Sequence, residues 1–471
     1  MIKHLVKSLF FIPMVMVMLL SCTAMPTPLP QSGTPQSAEK TKAPQVTTLT
    51  PTPSLAEVEG DVANLKGLQI QFIHPWTGAT ADTLFQLVDQ FNQLNEWDIH
   101  VIMKAPGSAA QVSRRLREEI VNEIHSNVVA APISQLLEID QSHELVVDLS
   151  PYVVSNSYGM DEELVADFYL PFWDENLVDG KRYGIPAQRS ALLMAYNLTW
   201  ANELGFQNSP RTAAEFKEQM CAANAAFRKD DDPLDDGLGG WIISRDASSM
   251  YNWLLAFEAE PFADGSFIFS TPASEEAFTY LHGLSANHCA WMGRSTPEAD
   301  YFARRQALAY TLWMQDLGRL TSAMIRNESA DDWLLMAYPG MEDGAFLSDG
   351  SAFAILHQDA DSDLAAWLFI RWLSQPEQQG RLLASMGTLP LGSMVLTHLN
   401  GYGEDHPDWQ AVIDQANPFV SAPPAAEWQI VSPLLEDSAW QLWVGGVGEK
   451  GVSVILLQID DLIAELTGES R

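Results

Sequence analysis

Cysteine is nearly absent: three occur in 471 residues, which excludes a disulfide-stapled miniprotein or a multi-cysteine zinc module and leaves room for one bridge at most. Positive charge is also scarce, with 26 Lys+Arg against 61 Asp+Glu and a formal net charge of -35. Neutralising phosphates requires a clustered basic face, and none is visible, so the sequence argues against nucleic acid as a partner. Gly-x-Ser-x-Gly, His-Glu-x-x-His and Gly-x-x-x-x-Gly-Lys do not occur, and the ten histidines show no ligand spacing. No cofactor and no metal site is therefore expected. Apolar residues are not lacking: at 47% hydrophobic and 10% aromatic, most of the chain must fold, and its length allows two or three units.

The first 22 residues bear on the compartment. Lys3 and Lys7 precede an apolar run from Leu9 to Leu20, too short and too lopsided in its flanks for a transmembrane helix, and it reads as a signal peptide. The run ends Leu19-Leu20-Ser21-Cys22, which resembles the lipobox at which bacterial lipoproteins are cleaved and lipidated on cysteine, although Leu20 is bulkier than usual there. The alternative is an uncleaved anchor with an incidental cysteine. Removing residues 1–21 takes away two lysines, so -35 becomes -37, and acyl chains on Cys22 would hold an acidic protein at a membrane surface. Residues 22–66 follow as a linker, rich in Pro, Thr, Ser and Gln up to Pro53, a composition that cannot offset ordering entropy.

Folding is expected to begin near residues 65–68. Gln69–Ile73 reads as a buried strand, then the loop His74-Pro75-Trp76-Thr77-Gly78 and a helix over about 81–95 with Leu84, Leu87, Val88, Phe91 and Leu94 on one stripe. A strand at 99–103, a helix at 109–125 and a strand at 127–131 complete a βαβαβ opening, the pattern of a parallel sheet that binds ligands at strand C-terminal ends. Further helices are expected at 212–228, 274–286, 363–373 and 452–466, and strands at 240–244 and 351–356.

Several blocks, in order, resemble the extracellular solute-binding proteins of carbohydrate ABC importers, the maltose-binding-like family. They are the run Leu68 to Trp76; then Asp179-Gly-Lys-Arg-Tyr-Gly-Ile-Pro186 with Tyr196-Asn197, Leu204-Gly205 and Pro210-Arg-Thr212; then Gly350-Ser351, Ala365-Ala366-Trp367, Pro376-Glu377 and Gly387-Thr-Leu-Pro390. The resemblance implies an α/β type II fold of two lobes, each a mixed sheet flanked by helices, with sugar bound between them and no catalysis. Carried onto this chain, one lobe is 67–188 with 339–388 and the other 190–336 with 392–471, joined by crossings near 188–193, 336–339 and 388–393. The chain departs from the family where Ser126-Asn127-Val-Val-Ala-Ala-Pro132 replaces the usual Pro-Asp and a cleft aromatic, which removes the basis for transferring one sugar specificity.

Sugar recognition needs flat apolar faces and planar polar groups. The candidates are His74, Trp76 and Thr77 after the first strand, Ser134 and Gln135 after the third, and Gln188, Arg189, Ser190 and Gly350 on the crossings. Ser248, Trp253, Trp313 and Trp440 stand in the second lobe. Trp76 and Trp253 have core readings as well, and Arg189 could equally lie in an internal salt bridge. Arg189, with five fixed donors, is the first suspect should the ligand be anionic. With Cys22 lipidated, Cys221 and Cys289 are left as a bridge or two free thiols.

Two tempting motifs carry little. Asp230-Asp-Asp-Pro-Leu-Asp-Asp-Gly237 fails EF-hand spacing and reads as a solvated turn. Gly446-Val-Gly448-Glu-Lys-Gly451 matches a dinucleotide fingerprint but lacks its βαβ context and reads as a loop leading into a helix. The expectation is thus a monomeric, lipid-tethered binder of a mono- or oligosaccharide that delivers it to an ABC permease from outside the cell membrane. A surface glycoside hydrolase, a sensory ligand-binding protein and a binder of a non-sugar solute are the alternatives.

Overall fold

The computed structural model describes residues 58–468 except 295, 342–345, 400, 416–418 and 445–446, all within one unit, Leu55–Arg471. The signal peptide, Cys22 and most of the linker lie outside the described residues. Order begins slightly earlier than expected: Asp61 caps the short turn Val62–Asn64, its backbone N–H bonds Asp361, and Leu65 is buried.

The opening elements follow their hydrophobic periods. The helix Gly78–Leu94 buries Leu84, Leu87, Val88 and Phe91, a stripe at i, i+3, i+4 and i+7. It starts three residues ahead of the expected position. The strands Gln69–Ile73, His100–Lys104 and Val128–Ala131 pair in parallel. Ala213–Phe227 is fixed at its start by Thr212, whose hydroxyl accepts from the Glu215 N–H while the Glu215 carboxylate accepts from the Thr212 N–H. Cys221 on this helix is disulfide-bonded to Cys289, just before the strand Ala290–Trp291. The C-terminal helix Glu449–Thr467 buries Ile455, Ile459 and Ile463, and Gly448 stands at its N-cap; Gly446 lies outside the described residues.

One ten-stranded sheet runs through the chain. Its centre is a pair of long antiparallel strands, Ile185–Asn197 and Phe346–Ile355. The opening parallel strands attach beside Phe346–Ile355, while Ala309–Trp313, Trp241–Ile242 and Ala290–Trp291 attach beside Ile185–Asn197 with the opposite sense. Two separate apolar clusters include Phe72, Leu84, Phe91 and Trp367 in one case, and Phe216, Trp241, Trp253 and Val431 in the other. The fold is thus mixed α/β in two sets of strands joined by long central strands.

The strand expected at 351–356 is the second half of Phe346–Ile355, and this longer strand carries the chain between the two sets. Residues 336–339, expected to cross, instead end the strand Trp333–Met336 and approach Thr212, where Gly340 accepts from the Ala213 N–H. A polar Ser348-Asp349-Gly350 interrupts the apolar pattern and hides the strand from a periodicity reading.

Candidate functional site

Sheet register locates the site. Ala131, the end of the third parallel strand, lies opposite Ala352, which is opposite Pro186. Trp313, the end of a strand in the other set, lies opposite Leu192. The C-terminal ends of both strand sets therefore converge on the central pair from opposite directions, about 20 Å apart along the strand. Ligands of open α/β sheets bind outside strand carboxyl ends, so residues 187–191 and 347–351 form a floor between two walls.

The floor contains four expected residues. Gly350 faces Arg189 in register, and a Cβ there would collide with the Gln188 carbonyl oxygen, so only glycine permits this approach. Gln188 Nε2 lies 3.5 Å from Gln315 Oε1, beside the Trp313 loop. Ser190 is buried, its hydroxyl has no partner among the described residues, and Asp349 is its register partner. Arg189 is 1% exposed. Its Nε donates to Glu175 Oε2 at 3.1 Å, and its NH1 donates to the Gln188 and Ser351 carbonyls at 2.8 Å each. The salt-bridge reading of Arg189 is the one the structure supports, and the arginine is not presented to a ligand.

One wall holds His74, Trp76 and Thr77. His74 is fully buried with both ring nitrogens unpartnered among the described residues, stacked on Trp76 at 5.6 Å, and burial lowers its pKa to about 4. Trp76 is half-buried, edge-on to Phe353, while Thr77 is an exposed N-cap residue. Ser134 and Gln135 are buried in the helix Ile133–His143, where the Ser134 hydroxyl accepts from Gln429 Nε2 at 2.9 Å. That bond ties the first strand set to the helix Trp428–Val444.

The other wall carries two adjoining cavities of about 770 and 490 Å³ that share Ser244, Asp246, Glu298 and Thr311. Trp440, 47% exposed, lines the larger, with the Arg245 guanidinium 5.2 Å from its ring centre. Trp313 lines the smaller, next to Leu192. Asp246 caps the helix Ala247–Ala256: its carboxylate accepts from the Ser249 N–H at 2.8 Å and from the Ser244 hydroxyl. Behind the wall, the buried Tyr338 hydroxyl is bonded to both Ser249, at 2.9 Å, and Thr311, at 3.0 Å. Two of the smaller cavity's arginines are committed: Arg319 pairs with Asp316 and Arg326 with Asp300. Ser248 is half-buried on the adjoining helix. Trp253 is fully buried, packed against Phe216, Trp241 and Tyr338, which makes it core and not cleft.

Residues that sequence reasoning missed are chiefly acidic: Asp246, Glu298, Glu436 and Asp437 all line the larger cavity. They stand beside the aromatic candidate Trp440 and the polar Thr311. Little in the sequence brings them together: Asp246 caps one helix, Glu298 opens another, and the adjacent Glu436 and Asp437 lie within the helix Trp428–Val444. Among the described residues no group of three or more His, Cys, Asp or Glu could hold a metal ion, and no helix is long and apolar enough to cross a membrane.

Comparison with known proteins agrees with this fold. Binding proteins of Brucella abortus (strain 2308) and Brucella suis biovar 1 (strain 1330) are each 24% identical over 241 residues, 49% of this chain and 56% of theirs. The match thus spans little more than half the length of those relatives. The cyclic alpha-maltosyl-1,6-maltose binding protein of Arthrobacter globiformis superposes with a TM-score of 0.69 at 17% identity, over 84% of this chain and 99% of that one. The sugar-binding protein MalE of Xanthomonas citri gives 0.69 at 19% identity over 86% and 100%. UgpB of Mycobacterium tuberculosis, in complex with glycerophosphocholine, gives 0.69 at 15% over 85% and 99%. At such identities these structures show a shared two-lobe fold. A family profile described as bacterial extracellular solute-binding protein matches residues 86–410, well over half of the sequence, and the chain belongs to that family.

Proposed function

We propose that this protein is the substrate-binding subunit of an ABC importer, held outside the cell membrane by lipid on Cys22, and that its solute is a mono- or oligosaccharide. The observation that carries this reading is the convergence of both sets of strand ends on residues 187–191, with Trp313 and Trp440 lining the cavities on one side. Indole faces suit the C–H surfaces of a pyranose, while Thr311, Asp246 and Glu298 supply hydroxyl partners. The lobes close when ligand contacts from both walls favour the closed form, and the closed form is what the permease receives. No chemistry is required of the site.

The four carboxylates of the larger cavity favour a second reading, an amine-bearing solute such as an aminosugar or polyamine. A thermal-shift screen of the purified chain against neutral sugars, sugar acids, aminosugars, amino acids and polyamines separates the two. A ligand at 100 times its dissociation constant adds about 2.7 kcal/mol, a shift of several degrees. A neutral sugar whose shift disappears in Trp313→Ala or Trp440→Ala and which is recovered unhydrolysed supports the first reading. Response to amines alone supports the second, and response to sugar acids alone contradicts both.

A further inference from the structure

The floor of the cleft contains a charged group to which the proposed function assigns no role. Along Ile185–Asn197, alternate residues Gln188, Ser190 and Leu192 share one face, and Leu192 lines the smaller cavity. Asp349 is opposite Ser190 and so stands on that same face, half-buried, beside a hydroxyl that has no partner among the described residues. Its Oδ1 accepts from the Gly350 N–H at 2.7 Å. The charges that act on it are those of Arg189 and Glu175, which form a fully buried ion pair on the other face of the strands. That pair neutralises itself, while Asp349 stands where the central strands pass between lobes and has no ion-pair partner among the described residues.

We propose that Asp349 is a proton-operated control on closure: with its carboxylate ionised the floor resists drying and the open form is favoured, and with the carboxyl protonated the lobes close more readily. The physical reason is desolvation. A lobe rotation about residues 188–190 and 349–351 changes the water around Asp349, and the form that removes that water disfavours an ionised carboxylate. Burial, with the Glu175 charge adding to it, raises the Asp349 pKa to about 6, so the control operates in mildly acidic surroundings. Arg189 opposes the shift without cancelling it. Closure at acidic pH and opening at neutral pH follow from the same equilibrium.

This inference rests on the two-lobe closing motion of the proposed function but not on the identity of the solute, so its test uses no ligand. Small-angle X-ray scattering of the purified chain, stepped from about pH 5 to about pH 7.5, should show a radius of gyration that increases with pH around a midpoint near 6. Asp349→Asn should stay at the compact value throughout. Glu175→Gln, which leaves Asp349 in place but removes its like-charged neighbour, should move the midpoint to lower pH, a displacement that a purely structural role does not produce. Circular dichroism verifies folding, and if E175Q, which leaves Arg189 without its buried partner, does not fold, D349N carries the test. A pH response that persists unchanged in D349N, or a midpoint unmoved in E175Q, overturns the proposal, as does a wild-type radius independent of pH. A radius that fails to change even with a solute found in the screen sinks the closing motion itself.

Discussion

Replacing Arg189 with methionine should destabilise the protein far more than most single substitutions, for reasons visible in its contacts. The side chain is 1% exposed, its partner Glu175 is equally buried, and its NH1 satisfies two carbonyls, those of Gln188 and Ser351. Methionine keeps much of the volume but removes the cation that, among the described residues, pairs with Glu175, whose Oε1 has no partner among them. Breaking a buried pair from one side costs about 3–5 kcal/mol, because the remaining charge stays desolvated. Chemical denaturation at neutral pH, comparing midpoints at constant m-value, measures this directly. The pH dependence has a definite sign. Burial already holds the Glu175 carboxyl above its usual range, and loss of Arg189 raises it further. A carboxyl raised in the folded state contributes stability below its unfolded pKa that is lost as pH rises through the folded pKa. The deficit of R189M relative to wild type should therefore be full at neutral pH and shrink towards about pH 4. Adding Glu175→Gln should recover most of the loss, since replacing both members of a buried pair is often near neutral. A single-variant cost under about 1 kcal/mol, or a double variant no better than the single, would refute the argument.

Other expectations are independent of that pair. Gly350→Ala puts a Cβ against the Gln188 carbonyl and should cost about 1–3 kcal/mol as the central strands are forced apart, with a lowered melting point as the readout. Reduction of Cys221–Cys289, 68 residues apart, or the double serine variant should cost about 4 kcal/mol on loop-closure grounds, read as a lower urea midpoint that oxidised wild type does not show. Glu119 is desolvated, yet hydrogen bonds from Lys104, Ser126 and Arg115 hold its carboxyl below the usual range. Its contribution is present above the unfolded pKa and disappears as pH falls through the folded pKa, so Glu119→Gln should destabilise at neutral pH and match wild type in strong acid. Trp253→Ala, deep in the aromatic cluster, should cost about 3–5 kcal/mol, and equal destabilisation with and without ligand in thermal melts would mark it as core.

The helices were legible because their apolar spacing is local: Leu84, Leu87, Val88 and Phe91 describe a buried stripe before any tertiary contact is known. The central strand Phe346–Ile355 was only half legible, since Ser348, Asp349 and Gly350 break its apolar run at the place where the chain crosses between lobes. Arg189 shows a different limit. Its residue type suits both ligand and ion-pair roles, and the choice depends on Glu175, brought to it by a short helix end that sequence spacing does not orient. The acidic wall could not be read at all, because Asp246, Glu298, Glu436 and Asp437 meet only after three separate segments have been placed.

The way the central strands are joined also bears on how much of the binding energy survives as affinity. The chain passes the floor as two paired strands, and a third stretch docks on the first through the Leu389 N–H, which bonds the Arg189 carbonyl. A rotation about such a welded seam alters the dihedrals of a few residues that are ordered before and after the motion. Ordering a flexible residue costs about 1–2 kcal/mol, so a hinge made of loose loops would lose several times that each time the lobes met. Here the backbone has lost that freedom at folding, so in the proposed closing motion ordering of the hinge subtracts little from the contact energy of each encounter with solute.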